Sequence, residues 1–137
     1  MTMLQLHAAI TAALVGLIWT VQIVIYPLFS RIGTEAFRNY HQSYMARIGS
    51  VVGPLMVAEL VTAALVIYQG ERSPWFLVSL VLLAMIWLST WILLIPLHKQ
   101  LEVGFTPTAH DKLVIGNWLR TLAWSLRGLC LIMLAAP

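Results

Sequence analysis

The stretch IGSVVGPLMVAELVTAALVIY, residues 48–68, decides the fold class of this chain. It is long enough to cross a bilayer as a helix, because about 20 apolar residues span the hydrocarbon core. It carries a single charge, Glu59, near its middle. A carboxylate at that depth costs at least ~2.5–3.5 kcal/mol on insertion scales, so charges there are usually paired or functional. The stretch therefore predicts a membrane helix with a polar inner face.

Three further apolar stretches have a similar length, at residues 4–26, 75–96 and 113–135. The chain has 137 residues, of which 61% are hydrophobic and only 9% are charged. Soluble domains carry about 25% charged residues, so this composition is typical of a membrane protein. We predict an all-α polytopic membrane protein that forms one domain over residues 1–137. It is a four-transmembrane-helix bundle with an amphipathic segment, residues 33–44, between helices 1 and 2, and no internal repeat is obvious.

The basic residues predict the orientation. The first and third connections carry Arg31, Arg38, Arg47, Lys99 and Lys112, whereas the second carries only Arg72. The positive-inside rule then places those two connections in the cytoplasm and both termini outside a bacterial inner (plasma) membrane. The net charge of +3 is too small to indicate nucleic-acid binding. The expected partner is the lipid bilayer, and association into a homo-oligomer stays open.

Helical spacing places polar and aromatic side chains on one face of each apolar stretch. Since lipid provides no hydrophobic drive between helices, these faces are expected to turn inward. The second face requires a helix that continues past Pro54. The four faces are Thr11, Trp19, Gln22 and Tyr26; His41, Tyr44, Glu59 and Thr62; Trp87, Trp91, Leu94 and His98; and Asn117, Arg120, Trp124 and Arg127.

Together the four faces predict a cavity that opens toward the cytoplasm. Its floor is a buried ion pair between Glu59 and Arg127. Two histidines fall outside this cavity: His7 is expected at the outer membrane interface, and His110 in a solvated loop. The predicted ligand-binding side chains are Gln22, Tyr26, Tyr44, Trp87, Trp91 and Trp124.

Several motifs resemble small four-helix bacterial membrane proteins, in particular the anthrone-oxygenase-like family. The carrying residues are Trp19-x-x-Gln22, Tyr26-Pro27, Phe37-x-x-x-His41, Gly53-Pro54 with Glu59, Pro96-Leu97-His98-x-x-Leu101 and Asn117-Trp118-x-Arg120-Thr121. His98 stands where that pattern has Asn. The resemblance implies a four-helix fold and, from some fungal members, oxidation of polycyclic anthrones. His41, His98, Asn117 and Arg120 match its polar positions, and no cofactor follows from it.

Three function classes follow from the polar interior. The first is a pocket for a small lipophilic ligand, with oxidation of a quinol-like or phenolic compound as the expected enzymatic activity. In that activity His41 or His98 takes a proton, while Asn117 and Arg120 stabilise the resulting enolate. The second is a homo-oligomeric transporter or channel that uses Glu59 and Arg127. The third is an accessory subunit of a membrane complex. The histidines show no metal-ligand spacing, so no metal site is predicted.

Overall fold

Four long helices make up the computed structural model, which describes residues 1–135. They are α1 (Met3–Arg31), α2 (Thr34–Tyr68), α3 (Pro74–Val103) and α4 (Pro107–Ala135), and no strand occurs among the described residues. The all-helical prediction is therefore confirmed. By length and composition, α1, α2 and α3 are apolar enough to cross a membrane. Helix α4 is 29 residues long and carries a polar stripe that turns inward.

The amphipathic segment at residues 33–44 is not a separate element, which corrects the prediction. It forms the first turns of α2, which continues without interruption through Pro54 to Tyr68. Gly33 is the N-cap of α2, and no side chain caps the first turn of this helix. Because α2 is continuous, His41 and Glu59 lie on the same helix, which is the condition for the predicted polar face that they share.

Two π-helical turns interrupt α1 and α3, at Val21–Ile25 and Thr90–Leu94. Each ends two residues before a proline, Pro27 or Pro96. A proline ring clashes with the carbonyl four residues earlier, and a wider turn accommodates it. The helices therefore pass their prolines and extend beyond the predicted ends, to Arg31 and Val103. The wider turn also rotates every later side chain relative to an ideal helix.

The helices pack unequally around the core. Helix α4 lies along α3 and also against α1, whereas α2 packs on α1 and contacts α3 through its segment Ile95–Val103. The α3–α4 approach is close at Gly116, where an added Cβ would lie 2.7 Å from Leu93 Cδ2. Because α2 joins α3 only toward one end, a space remains between α2 and the rest of the bundle.

A short turn at residues 69–73 connects α2 and α3. Gly70 has a φ of +97°, a left-handed conformation that glycine adopts without strain. The Ser73 hydroxyl accepts from the Phe76 N–H and caps α3. The Glu71 carboxylate accepts from the Ser73 N–H at 2.8 Å, and hydrogen bonds from Ser73 hold the pKa of Glu71 below its ordinary value.

Candidate functional site

A buried ion pair joins α2 and α4. Arg127 Nη2 lies 3.5 Å from Glu59 Oε1, and both side chains are fully buried, so the predicted pair is confirmed. The Thr11 hydroxyl donates to Glu59 Oε1 at 2.8 Å, and Trp124 Nε1 donates to Oε2 at 3.1 Å. Every neighbour of the carboxylate is a donor, a set that suits its ionised form.

His7 belongs to the same cluster, so its expected place at the membrane interface is wrong. The side chain is 0% exposed. The Thr62 hydroxyl donates to the Ala58 carbonyl at 2.7 Å, so it accepts from His7 Nδ1 at 2.9 Å. His7 Nε2 is then left to accept from Arg127 Nη2 at 3.0 Å. The sequence held a usable signal, because His7 lies four residues before Thr11 on one helical face.

A cavity of about 280 Å³ lies between α2 and the other three helices. Apolar side chains form most of its wall, and four polar side chains meet at one end of it. These polar side chains are Tyr26, Tyr44, His98 and Arg120. The indole of Trp124 lies between the cavity and the Glu59–Arg127 pair, because it lines the first and donates to the second. The floor of the cavity is therefore Trp124 rather than the predicted ion pair.

The cavity opens sideways rather than through the loop end of the bundle. Gly49 of α2 and Ile95 of α3 both line it and are themselves exposed. Toward the loops, the fully buried side chains of Phe29, Phe37 and Leu101 close the interior. The prediction of an opening toward the cytoplasm is corrected accordingly, since α2 separates from α3 within the apolar part of the bundle.

Arg120 is the most unusual side chain of the cavity wall. It is 7% exposed, and its Nη1 donates to Asn117 Oδ1 at a long 3.3 Å. Its Nε is buried without a partner, and no carboxylate of residues 1–135 lies within ion-pair distance of it. The guanidinium lies over the Trp124 ring, 5.0 Å from the centroid. It is also near enough to Tyr26 and Tyr44 to act on both electrostatically.

Gln22 and Asn117 lie behind this wall rather than on it. Gln22 Nε2 donates to the Val114 carbonyl at 3.1 Å, and Asn117 Nδ2 donates to Gln22 Oε1 at 2.8 Å. Both side chains are buried and neither lines the cavity. The prediction that Gln22 contacts a ligand is therefore not met by the geometry. The hydrogen bond between Gln22 and Asn117 instead positions Asn117 Oδ1 to accept from Arg120.

A hydrogen-bonded series leads from the cavity toward the loop end. The Tyr26 hydroxyl lies 2.8 Å from His98 Nε2, and His98 Nδ1 lies 3.1 Å from His41 Nε2. Tyr26 and His98 line the cavity, whereas His41 lies behind them with no exposed surface. The second nitrogen of His41, Nδ1, is buried without a partner.

The two tryptophans of α3 do not line the cavity, contrary to the prediction. Trp91 is 58% exposed and points outward, and half-buried Trp87 packs edge-on against it, 5.2 Å between ring centroids. An ideal helix would place both on the face of Leu94 and His98. The π-helical turn Thr90–Leu94 breaks that alignment, because its extra residue turns Trp91 away from Leu94.

His110 was expected in a solvated loop, and this is wrong as well. It lies in the first turn of α4, only 7% exposed, with Nε2 2.8 Å from the Tyr26 carbonyl oxygen. Its spacing was informative, because His110 lies seven residues, two helical turns, before Asn117 on the same face. The cavity also uses residues that carried no polar signal, among them Met45, Gly49 and Gly53 of α2.

Comparison with family models, curated proteins and solved structures finds no match to this chain. Its function is therefore inferred from its residues and their geometry.

Proposed function

We propose that all four helices cross a lipid bilayer. The outer face of α4 supports this, because it is apolar from Ile115 to Ile132 while the charged side chains of that stretch, Arg120 and Arg127, are buried. The exposed residues of that face are Ile115, Leu119, Leu122, Leu126, Leu129 and Ile132. Lipid is the solvent that suits such a face, and the neighbouring helices supply the partners for the inward polar stripe.

The orientation we propose follows the basic residues. Arg31, Arg38, Arg47, Lys99 and Lys112 lie in the half of the bundle that holds the connections at residues 32–33 and 104–106. Arg72 lies in the connection at the opposite end. The first end then faces the cytoplasm, and both termini lie outside, in a bacterial plasma membrane.

For function, we propose that the cavity binds a small lipophilic ligand with an oxygen at one end, either a carbonyl or an acidic hydroxyl. The observation that carries this proposal is Arg120, a buried guanidinium without a carboxylate partner at the polar end of a mostly apolar cavity. A buried charge is costly unless it is paired. A ligand oxygen would supply the missing acceptor, for which the planar guanidinium offers several donors.

The size and opening of the cavity support the same proposal. Its volume of about 280 Å³ lies just below the range of about 300 to 1,000 Å³ that is typical of pockets for drug-sized ligands. A cavity of this size suits a ligand of one or two rings. The opening between α2 and α3 faces the bilayer in the proposed arrangement. A lipophilic ligand would therefore reach Arg120 from the membrane without crossing water.

Oxidation of a quinol-like or phenolic compound is the activity we propose for this site, in which its residues would take the hydroxyl proton of the ligand and a separate electron acceptor would take the electrons. The anthrone-oxygenase-like resemblance implies it, and the four residues matched to that family belong to one connected region. His98 and Arg120 lie on the cavity wall, while His41 and Asn117 are each hydrogen-bonded directly behind one of them. The ligand hydroxyl would meet a base and a cation on the same side of the cavity.

Transport through Glu59 and Arg127 has less support from the geometry. Both side chains are fully buried, and neither lines the cavity. The carboxylate already has three donors, which suits a pair that fixes the packing of α2 against α1 and α4.

Native mass spectrometry of the full chain in a mild detergent tests the ligand proposal. Wild type is expected to retain a small molecule that Arg120→Met loses, because methionine keeps the length of the side chain without its donors. Gly53→Leu fills the cavity and should lose the same mass, while Gly16→Leu, on the outside of α1, should retain it. A molecule held equally by all four proteins, or by none of them, contradicts the proposal. The same spectra report whether the protein is a homo-oligomer.

A further inference from the structure

The series Tyr26, His98, His41 has two protonation patterns that need no change of ring position. In the first, Tyr26 donates to His98, His98 Nδ1 donates to His41, and His41 Nδ1 carries a hydrogen. In the second, His41 Nε2 donates to His98, His98 Nε2 donates to Tyr26, and His41 Nδ1 is an unprotonated acceptor. Both patterns hold the same number of hydrogens. Passing from the first to the second removes the hydrogen of His41 Nδ1 and adds a hydroxyl hydrogen at Tyr26, which points toward the cavity.

We propose that Tyr26, His98 and His41 form a proton wire between the cavity and the loop end of the bundle. This rests on the proposed function, and it narrows the ligand class to aromatic compounds with a weakly acidic hydroxyl, such as phenols and hydroquinones. The ligand O–H bond breaks and its proton joins the Tyr26 oxygen. The Tyr26 proton passes to His98 Nε2, the His98 Nδ1 proton passes to His41 Nε2, and His41 releases its Nδ1 proton. The ligand oxygen keeps the electron pair and becomes an anion beside Arg120.

A carboxylate lies beyond the far end of the wire. Glu102 lies four residues after His98 on α3, one turn nearer the loop, and its carboxylate acts electrostatically on His41. Its side chain is half-buried, so it reaches from the interior toward the outside. His41 itself is enclosed by Phe29 and by Phe37, whose ring stacks on it at 5.6 Å. Its only unpartnered nitrogen is therefore the atom that must release the proton.

The remaining charged and titratable groups around the wire favour an anion at its cavity end. Arg120 of α4 acts on Tyr26 and His98, Tyr44 of α2 faces Tyr26, and His110 of α4 contacts the Tyr26 carbonyl rather than its hydroxyl. Arg120 is the fixed cation among these groups, and Glu102 is the fixed anion. Arg120 lies at the cavity end of the wire, where its positive charge stabilises a ligand anion.

The test uses the full chain in lipid nanodiscs with two probes, 4-nitrophenol and 4-nitroanisole. The phenolate of the first is coloured, and the second is its methyl ether, which cannot ionise. Quenching of tryptophan fluorescence reports binding of both, because Trp124 lines the cavity. With protein in excess, a rapid pH jump from acid to neutral starts ionisation of bound 4-nitrophenol, and its visible absorbance gives the rate. Wild type is expected to ionise the bound probe faster than the probe exchanges.

His41→Phe removes the relay and keeps an aromatic ring beside Phe29 and Phe37. Its ionisation rate is expected to fall by about 100-fold, or to the rate of probe exchange, because one positioned acid–base group contributes about 10²–10⁴-fold. His41→Gln keeps a hydrogen bond to His98 without relaying protons and should show the same loss. Phe37→Leu alters the packing around His41 and leaves the wire intact, so it should ionise the probe at the wild-type rate. Binding of 4-nitroanisole should be unchanged in all three variants.

The outcomes separate the wire from the cavity itself. If both probes bind and His41→Phe and His41→Gln ionise 4-nitrophenol as fast as wild type, the wire is wrong and ligand binding stands. If Phe37→Leu slows ionisation as much as His41→Phe, packing and not proton relay is responsible, and the wire is again wrong. If neither probe binds better to wild type than to Gly53→Leu, the ligand-binding proposal fails and the wire fails with it.

Discussion

Arg120 lies over the indole of Trp124, and the Nε1–H of that indole donates to Glu59. The guanidinium carbon is 5.0 Å from the ring centroid, and Trp124 Nε1 is 3.1 Å from Glu59 Oε2. Trp124 thus contacts both Arg120, a cation without a carboxylate partner, and Glu59, a carboxylate that is paired with Arg127. It separates the cavity from the ion pair, so changes to the two can be tested independently.

Trp124→Phe should destabilise the fold without removing the ring beneath Arg120. Glu59 Oε2 loses its donor in a fully buried setting, and an unsatisfied buried polar atom costs about 1–3 kcal/mol. Thermal unfolding in detergent, followed by circular dichroism, should show a lower midpoint. Trp124→Phe should still retain the ligand, whereas Arg120→Met should lose it. If Trp124→Phe loses the ligand and keeps the wild-type unfolding midpoint, Trp124 does not separate the cavity from the ion pair in this way.

Breaking the Glu59–Arg127 pair from one side should cost more than removing both charges. Arg127→Met or Glu59→Leu alone leaves an uncompensated buried charge, which destabilises by about 3–5 kcal/mol. The double variant Glu59→Leu with Arg127→Met should recover most of that loss. A double-mutant cycle on unfolding free energies measures this coupling, and additive losses would show that the two charges do not interact.

Gly116→Ala should weaken the contact between α3 and α4. The added methyl would lie 2.7 Å from Leu93 Cδ2, so the Leu93 side chain must shift. Overpacking costs about 1–3 kcal/mol, of which the higher helix propensity of alanine returns up to about 1 kcal/mol. Leu93→Ala in the same protein should offset part of the loss. Gly128→Ala is the matched control, since its methyl would meet Val15 at an ordinary 3.6 Å. Equal unfolding midpoints for the two alanine variants would contradict the close approach.

Gly53→Leu should block ligand binding and leave the fold intact. An added Cβ meets no atom within 4 Å there, and Gly53 lines the cavity. Leucine favours a helix by up to about 1 kcal/mol relative to glycine, which offsets the steric cost of a side chain directly before Pro54, so the helix should still form. Titration with 4-nitroanisole should show at least a roughly tenfold weaker affinity, the equivalent of 1.4 kcal/mol. Gly16→Leu should bind as wild type does, and weakening in both proteins would point to an effect outside the cavity.

The turn before α3 should lose stability in acid. The pKa of Glu71 is lowered in the folded protein by hydrogen bonds from Ser73, so its contribution is present above its ordinary pKa and is lost as pH falls through the folded value. The unfolding midpoint of wild type should exceed that of Glu71→Gln near neutral pH, and the difference should shrink in acid. A difference that is constant with pH would rule out this origin.

Spacing identified most of the interior before the fold was known. Glu59, Asn117, Arg120, Trp124 and Arg127 follow the 3.6-residue period on straight helices, and all of them are buried. His7 and His110 obey the same period and were assigned to the interface and a loop only because they lie near predicted helix ends. The helices are longer than the apolar stretches, so polar residues beyond those stretches still face the core.

Composition and periodicity by themselves determined that the chain is helical, that it is suited to a membrane, and which faces of α2 and α4 are polar. Only the tertiary structure decided that Trp91 points outward, that the cavity opens between α2 and α3, and that Arg120 has no carboxylate partner among residues 1–135. The physical reason is that helix splay depends on contacts between distant segments, and that the hydrophobic pattern does not show which turn before a proline widens into a π turn. Hydrophobic periodicity records which side of a helix avoids lipid, and it contains neither the rotation that a π turn introduces nor the distance between two helices.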